Sequence, residues 1–311
     1  MWLFLAMLCA QGAAAQTVIE LERGGTVRGK TVDDYKEETG MAERLRADSL
    51  QYVDDLRRAF NALHGQKSDE AETYFRHALK LRPDAPGNHV IYYNMAQIQR
   101  AREEYLPALQ TLNTLIKNVP NYYDARLARA EVNLELGNAR EAIDDADVLL
   151  HNDALKKTDF GIYRKARFVR AAARYHARLY VEARADVHTL LLDDPQNINA
   201  QILEALILQK MGQPREALNS MNRIVSAHPE SLDALMTRAS LHTELEMHAP
   251  ARADYDKLIG LNPADGNLYV ERARTLIKLG EKTAARRDLD EAMKLGVPRG
   301  VVQALYNLTR K

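Results

Sequence analysis

The chain has 311 residues, with 43 Lys and Arg against 43 Asp and Glu, so its formal net charge is zero. That balance argues against a strongly basic nucleic-acid binder and against an acidic, self-repelling disordered chain. With 28% charged and 46% hydrophobic residues, the composition is that of a soluble globular protein.

The first predicted element is a leader over residues 1–15. Trp2 to Ala10 is an apolar run, and the small residues Ala13, Ala14 and Ala15 follow it. Such a run is a secretory signal peptide, too short to remain as a membrane anchor. Cleavage is expected after Ala15, leaving a chain that starts at Gln16. No Lys or Arg precedes the run, so either the true start lies upstream or the α-amino group alone supplies the positive end. Lipidation at Cys9 needs a small residue before it, and Leu8 stands there. Cys9 and Trp2 are the only Cys and Trp, so the mature chain has neither. Disulfides, Cys-based metal sites and thiol nucleophiles are thereby excluded. No later segment is apolar enough to span a membrane. The expected location is exported, periplasmic or cell-surface, and the lack of Cys in a secreted chain favours a bacterial envelope.

Residues 16–51 form an N-terminal arm and a leading helix. Thr17 to Glu22 alternates like a strand, Gly24-Gly25 breaks it, and Gly40 closes a polar stretch. A helix is expected to start near Met41 and run into the first repeat.

Residues 52–299 repeat. Seven pairs of Ala lie twelve residues apart: Ala59 and Ala71, Ala96 and Ala108, Ala130 and Ala142, Ala171 and Ala183, Ala205 and Ala217, Ala239 and Ala251, Ala273 and Ala285. Successive first members are 37, 34, 41, 34, 34 and 34 residues apart. Pro83, Pro120, Pro195, Pro229 and Pro263 each stand twelve residues after a second Ala, and Pro298 comes one residue late. Gly137, Gly212 and Gly280 fall between the two Ala of their units. This spacing predicts pairs of antiparallel helices with a tight turn between them and Pro closing the second. Ala is required where two helices cross too closely for a larger side chain. One such pair cannot bury its apolar faces, so the core must come from stacking.

These features resemble the tetratricopeptide repeat family, whose unit is 34 residues with small residues at two crossings and Pro at the end. The resemblance covers about residues 52–299 in seven units. It departs at the large residue near the start of the first helix, filled well only by Tyr92, Leu235 and Tyr269. Insertions of three residues around 85–88 and of seven around 157–163 also interrupt it. The resemblance implies an all-α, right-handed superhelical solenoid of antiparallel helix pairs, with a concave groove that holds a partner segment. Residues 300–311 predict a C-terminal capping helix, with Val301, Val302, Leu305 and Leu308 on one face.

A further regularity belongs to this chain. Arg stands just before the first Ala in five units, and in four of these an Asp follows sixteen residues later: Arg129 with Asp145, Arg170 with Asp186, Arg238 with Asp254, Arg272 with Asp288. The pairing predicts a ladder of Arg–carboxylate bridges at the helix seams. Arg58 with Tyr74 is the exception. Arg167, Arg170, Arg174 and Arg178 recur at three- and four-residue steps and so predict one basic helix face. Asp144, Asp145 and Asp147 of the preceding helix are expected to neutralise it.

No metalloprotease, phosphate-loop, dinucleotide or nucleophile-elbow motif is present. The nine His residues have no convergent ligand spacing, so neither metal nor cofactor is expected, and no enzyme. The family groove points to the exposed side of each first helix: Tyr93, Asn94, Gln97 and Arg100 in the second unit, and Phe168, Tyr175 and His176 in the fourth. Aromatics beside Asn and Arg are what binding surfaces enrich. At the places where some co-chaperones of the family clamp a terminal carboxylate stand Leu56, Phe60, Asn94, Asp124 and Ala128, and only Asn94 fits. The expectation is an exported scaffold or adaptor that binds a protein partner and no nucleic acid, as part of an envelope assembly. The alternative is a carbohydrate- or cell-wall-associated accessory protein, against which the absence of Trp counts.

Overall fold

The structure is a computed structural model that describes residues 32–310, with side chains from residue 45 onward. The expected leader and the strand-like part of the arm lie outside the described residues. Every described element is a helix, sixteen in all. Contacts group the chain into two compact units that divide at Arg170.

The first unit holds α1 (Val32–His64), α2 (Ser68–Leu81), α3 (Asn88–Ala101), α4 (Tyr105–Asn118), α5 (Tyr123–Glu135), α6 (Ala139–Leu150) and α7 (Asp153–Thr158). The division falls inside α8 (Phe160–His176). The second unit continues with α9 (Tyr180–Asp193), α10 (Ile198–Lys210), α11 (Pro214–Ala227), α12 (Leu232–Glu244), α13 (His248–Leu261), α14 (Gly266–Lys278), α15 (Lys282–Lys294) and α16 (Arg299–Arg310). Helix α1 is already helical at Val32, ahead of the start expected near Met41. The stretch expected as a seven-residue insertion, 157–163, ends α7 and opens a lengthened α8; Leu155 of α7 is buried against Leu149 and Ile162, and the Asn152 side chain caps α7 by accepting the Leu155 N–H.

The repeat chemistry is visible at each joint. All fourteen paired Ala, from Ala59 and Ala71 to Ala273 and Ala285, are completely buried. The position four after the second Ala carries the bulk of the core, with Phe75, Leu112, Val187, Met221 and Leu289 at zero exposure. Small residues at the crossing and large ones a turn later let two helices approach and still fill the space beside them. Pro83, Pro120, Pro195, Pro229 and Pro263 each stand two residues beyond the last helical residue of α2, α4, α9, α11 and α13. There the ring cannot continue the helix but disturbs none of its hydrogen bonds.

The turns share one device. Gln66, Glu103, Gly137, Arg178, Gly212, Glu246 and Gly280, each seven residues after the first Ala of its unit, all have positive φ. The left-handed conformation reverses the chain within two or three residues. Only three of the seven use the residue that adopts it freely.

In the first unit the core runs from Tyr52, Leu56 and Phe75 through Ile91 and Leu112 to Leu149 and Val169. In the second it runs from Ile202 and Met221 through Leu235 and Tyr255 to Leu289 and Val302. The last helix covers the final pair with Val302, Leu305 and Thr309. Arg286 holds Thr309 with two N–H donors, Nε to Oγ1 and Nη2 to the carbonyl, both at 2.8 Å. The expected face is therefore corrected: Val301 and Leu308 are 47% and 55% exposed. The buried stripe is centred on residues 302, 305 and 309, and the other two fall to either side of it.

Candidate functional site

The Arg and Asp residues at the helix seams form forked pairs. Arg129 donates from Nε and Nη2 to the two oxygens of Asp145, both at 2.7 Å. Arg170 holds Asp186 in the same way at 2.9 and 2.5 Å, Arg238 holds Asp254 at 3.1 and 2.5 Å, and Arg272 holds Asp288 at 2.8 and 2.7 Å. All four carboxylates are buried. The planar guanidinium matches a carboxylate edge with two parallel bonds, which a Lys could not do.

A third bond ties each of three of these arginines backwards. Arg129 Nη1 donates to Asn113 at 2.7 Å, Arg238 Nη1 to Asn222 at 3.2 Å, and Arg272 Nη1 to Asp256 at 2.9 Å. Those partners lie sixteen residues before the Arg, on the second helix of the preceding pair. One side chain thus joins three helices. The same sixteen-residue interval that sets the forward pairs thus sets the backward ones.

Further donors converge on the same carboxylates. Asp145 also accepts from Arg126, Asp186 from Arg174, and Asp254 from His242. A carboxylate can only accept, so Nδ1 of His242 carries the proton. Burial pushes the His242 pKa down, against the pull of Asp254, whose charge Arg238 already engages. In the first pair the Arg58 guanidinium sits 5.8 Å from the centre of the Tyr74 ring, and a reversed pair, Asp55 of α1 with His77 of α2, replaces the fork.

The expected basic face on α8 needs correction. Arg178 lies past the end of the helix, in the left-handed turn, so it shares no face with Arg170 and Arg174. Arg170 and Arg174 are bound by Asp186 of the following helix, and Asp145 is taken by Arg126 and Arg129. Arg167 donates to the Tyr163 hydroxyl at 3.0 Å. Spacing alone predicted a continuous face because it did not show where the helix stops.

Away from the seams, α3 turns Tyr93, Asn94, Gln97 and Arg100 to one side, all half-buried. Tyr93 packs on Tyr122 with ring centres 5.4 Å apart, and His89 lies 5.7 Å from Tyr122 on the same side. Burial, assisted by the Asp124 charge, pushes the Tyr93 hydroxyl up to about 12. Asn94 Nδ2 donates to the Val90 carbonyl at 2.8 Å. Arg100 donates to Gln97 at 3.1 Å and to Glu131 of α5 at 2.5 Å. The α3 surface therefore continues onto Asp124, Glu131 and Glu135 of α5; of these only Asp124 was named from the sequence, and as a clamp position that does not fit. The repeat contains the signal, since Glu131 stands 34 residues after Gln97, at the equivalent place in the next unit.

The expected residues on α8 differ among themselves. Phe168 and His176 are half-buried. Tyr175 is only 7% exposed, packed between His176 and Tyr180 at 5.4 and 5.9 Å. It packs in the core and does not stand on the exposed side of α8, where it was expected. Among the described residues, no group of three or more His, Cys, Asp or Glu is placed to hold a metal ion, and no helix is long and apolar enough to cross a membrane.

Helix pairs crossing on small residues, turned by a left-handed residue and stacked in chain order, define a helical-hairpin repeat protein. The tetratricopeptide repeat family model matches residues 93–157 and 202–266. Over those two stretches the chain carries tetratricopeptide repeats, and its fold is that of tetratricopeptide repeat structures. It is similar to the crystal structure of a tetratricopeptide repeat protein from Parabacteroides merdae ATCC 43184, at 22% identity over 84% of this chain and 100% of that one, with a TM-score of 0.71. It is also similar in fold to PilW, a widely conserved type IV pilus biogenesis factor, at 17% identity over 71% and 99% of the two chains, TM-score 0.57. A third likeness is to MamA, from residue 41 to its end, of Desulfovibrio magneticus RS-1, at 13% identity over 58% and 97%, TM-score 0.51. No curated protein matches the chain. At these identities the structural likenesses concern the fold.

Proposed function

We propose that this protein is an exported, non-enzymatic scaffold or adaptor that holds a segment of a protein partner against the first-helix face of α3 and α5, within an assembly of the cell envelope. The observation that carries the reading is the set Tyr93, Asn94, Gln97 and Arg100. Aromatic, amide and cationic side chains stand together, half-buried, on one side of α3, where the Tyr93 ring packs against the edge of the core and stays partly exposed. Such a mixture of rigid rings and hydrogen-bonding groups is enriched where proteins bind one another. Export is supported by the apolar run and Ala-rich exit of residues 1–15, with the mature chain starting at Gln16. PilW, of the same fold, is a type IV pilus biogenesis factor, and an envelope assembly is the setting that an exported array would serve here.

The test is crosslinked co-purification of the tagged protein from its own host, with Asn94→Ala and Arg100→Ala variants alongside. A stoichiometric partner recovered with the unaltered protein and lost from the variants is the expected result. Unchanged recovery from both variants overturns the placement of the site. Fractionation with N-terminal sequencing tests export, and a chain that still begins at Met1 and stays in the cytosol removes it.

A further inference from the structure

We infer that the partner segment is cationic, presenting Lys or Arg side chains to the Tyr93 and Tyr122 rings and to the carboxylates of Asp124 and Glu135; the inference rests on the partner-binding reading above.

Helix α5 separates its charges by face. Its two arginines, Arg126 and Arg129, both turn to the seam, where the buried Asp145 accepts three of their N–H groups. Its carboxylates Asp124, Glu131 and Glu135 lie on the other side, next to α3. There the one arginine from α3, Arg100, is committed to Gln97 and Glu131. Lys165 stands near Asp124, but Asp159 stands there too. Among these described groups the carboxylates Asp124, Glu131, Glu135 and Asp159 outnumber the cations Arg100 and Lys165, so the face keeps an excess of negative charge.

The carboxyl groups register that excess. Burial, then the like charge of Asp159, raises the Asp124 pKa. Burial, then Glu131 and Glu103, raises that of Glu135 against the pull of Arg100. A cation placed beside them relieves like-charge repulsion that the free protein retains. The rings give the second half of the complementarity. Tyr93 and Tyr122 stand together at the edge of these carboxylates, and an aromatic face attracts Lys or Arg within about 6 Å of its centre. A guanidinium or ammonium meets both requirements at once. An acidic segment meets neither, and nucleic acid would add its own negative charge to the face.

The experiment uses the full chain and short fluorescent peptides built on one Gly/Ser frame, carrying arginines, glutamates or no charge, with binding read by anisotropy. The arginine peptide is expected to bind about tenfold or more tighter than the other two, and to weaken as salt rises. Asp124→Asn combined with Glu135→Gln should weaken it about tenfold while leaving the far-ultraviolet dichroism and unfolding midpoint in place. Equal binding of the three peptides, absence of binding by the arginine peptide, or an undiminished affinity in the double variant overturns the inference. Tyr93→Leu separates this from the parent reading. If it weakens peptides of every charge alike while the double variant changes none, the face binds a partner but not a cationic one. If the arginine peptide binds and neither variant affects it, both readings fall.

Discussion

Asp145 shows how much one residue can hold together. Its buried carboxylate accepts from Arg129 twice and from Arg126 once, while Arg129 reaches back to Asn113 on α4. Such a pair contributes less net stability than its geometry suggests, because both charges have left water. Its asymmetry is the testable point. Asp145→Ala strands two guanidinium groups at 15% and 22% exposure beside an apolar seam. The expected loss is about 3 kcal/mol, the lower end for a broken buried pair, since the arginines can turn partly to solvent. Ser220 occupies the same place in the fifth unit, where Glu204 stands instead of Arg, and Ser220→Ala should stay within about 0.5 kcal/mol. Urea unfolding of the two variants checks the contrast, and similar losses would mean that the fork holds register without holding stability. This seam was readable in the sequence because a forked pair needs a fixed interval, and 129 to 145, 170 to 186, 238 to 254 and 272 to 288 repeat it. The burial of Tyr175 was not readable, since it depends on where Tyr180 and His176 place their rings.

At the scale of elements the repeat was legible wherever one residue type answers one geometric need. Ala marks the crossings, and Pro marks the helix ends. The turn residue is a mixed case, because Gly137, Gly212 and Gly280 announce a left-handed conformation that Gln66, Glu103, Arg178 and Glu246 adopt without announcing it. That silence is why Arg178 reads from spacing as the next step of a helix face. It also leaves strain in four turns. A non-glycine residue in this region costs about 1–2 kcal/mol, part of which glycine returns through the greater freedom of its unfolded chain. Arg178→Gly and Glu246→Gly should each stabilise the fold by about 0.5–1 kcal/mol. Gly212→Ala should destabilise it by a similar amount, from backbone conformation alone, since a methyl group there would meet nothing within 4 Å. Denaturation midpoints of the three variants test the sign in both directions. A destabilised Glu246→Gly would show that its side chain supplies more than its backbone costs.

For the molecule as a whole, extensive helix contacts among the described residues join neighbours in chain order or next-but-one neighbours, as with α14, α15 and α16. Stability in such an array is close to a sum of unit and nearest-neighbour contributions, so damage should spread by neighbours and fade. The last helix is the place to measure that decay. Its Val302 and Leu305 close the core that Val270, Leu276 and Leu289 begin, and Arg286 locks its end through Thr309. Ending the chain at Gly296 uncovers that core and removes both partners of Arg286. Hydrogen exchange should then lose protection strongly in α14 and α15, less in α12 and α13, and not measurably in α3 to α6. An array that unfolds throughout on this truncation would be a single cooperative body, and the independence argued from its contacts would be wrong. A loss confined to α15 would show instead that the bond from Arg272 back to Asp256 on α13 holds α14 without the cap. The need for such a cap was legible in the sequence, because a stack of apolar faces must end on a helix with one polar side. Which of Val301, Val302, Leu305 and Leu308 face inward was not, because the approach of Arg286 to Thr309 belongs to the packed structure and leaves no periodicity to read.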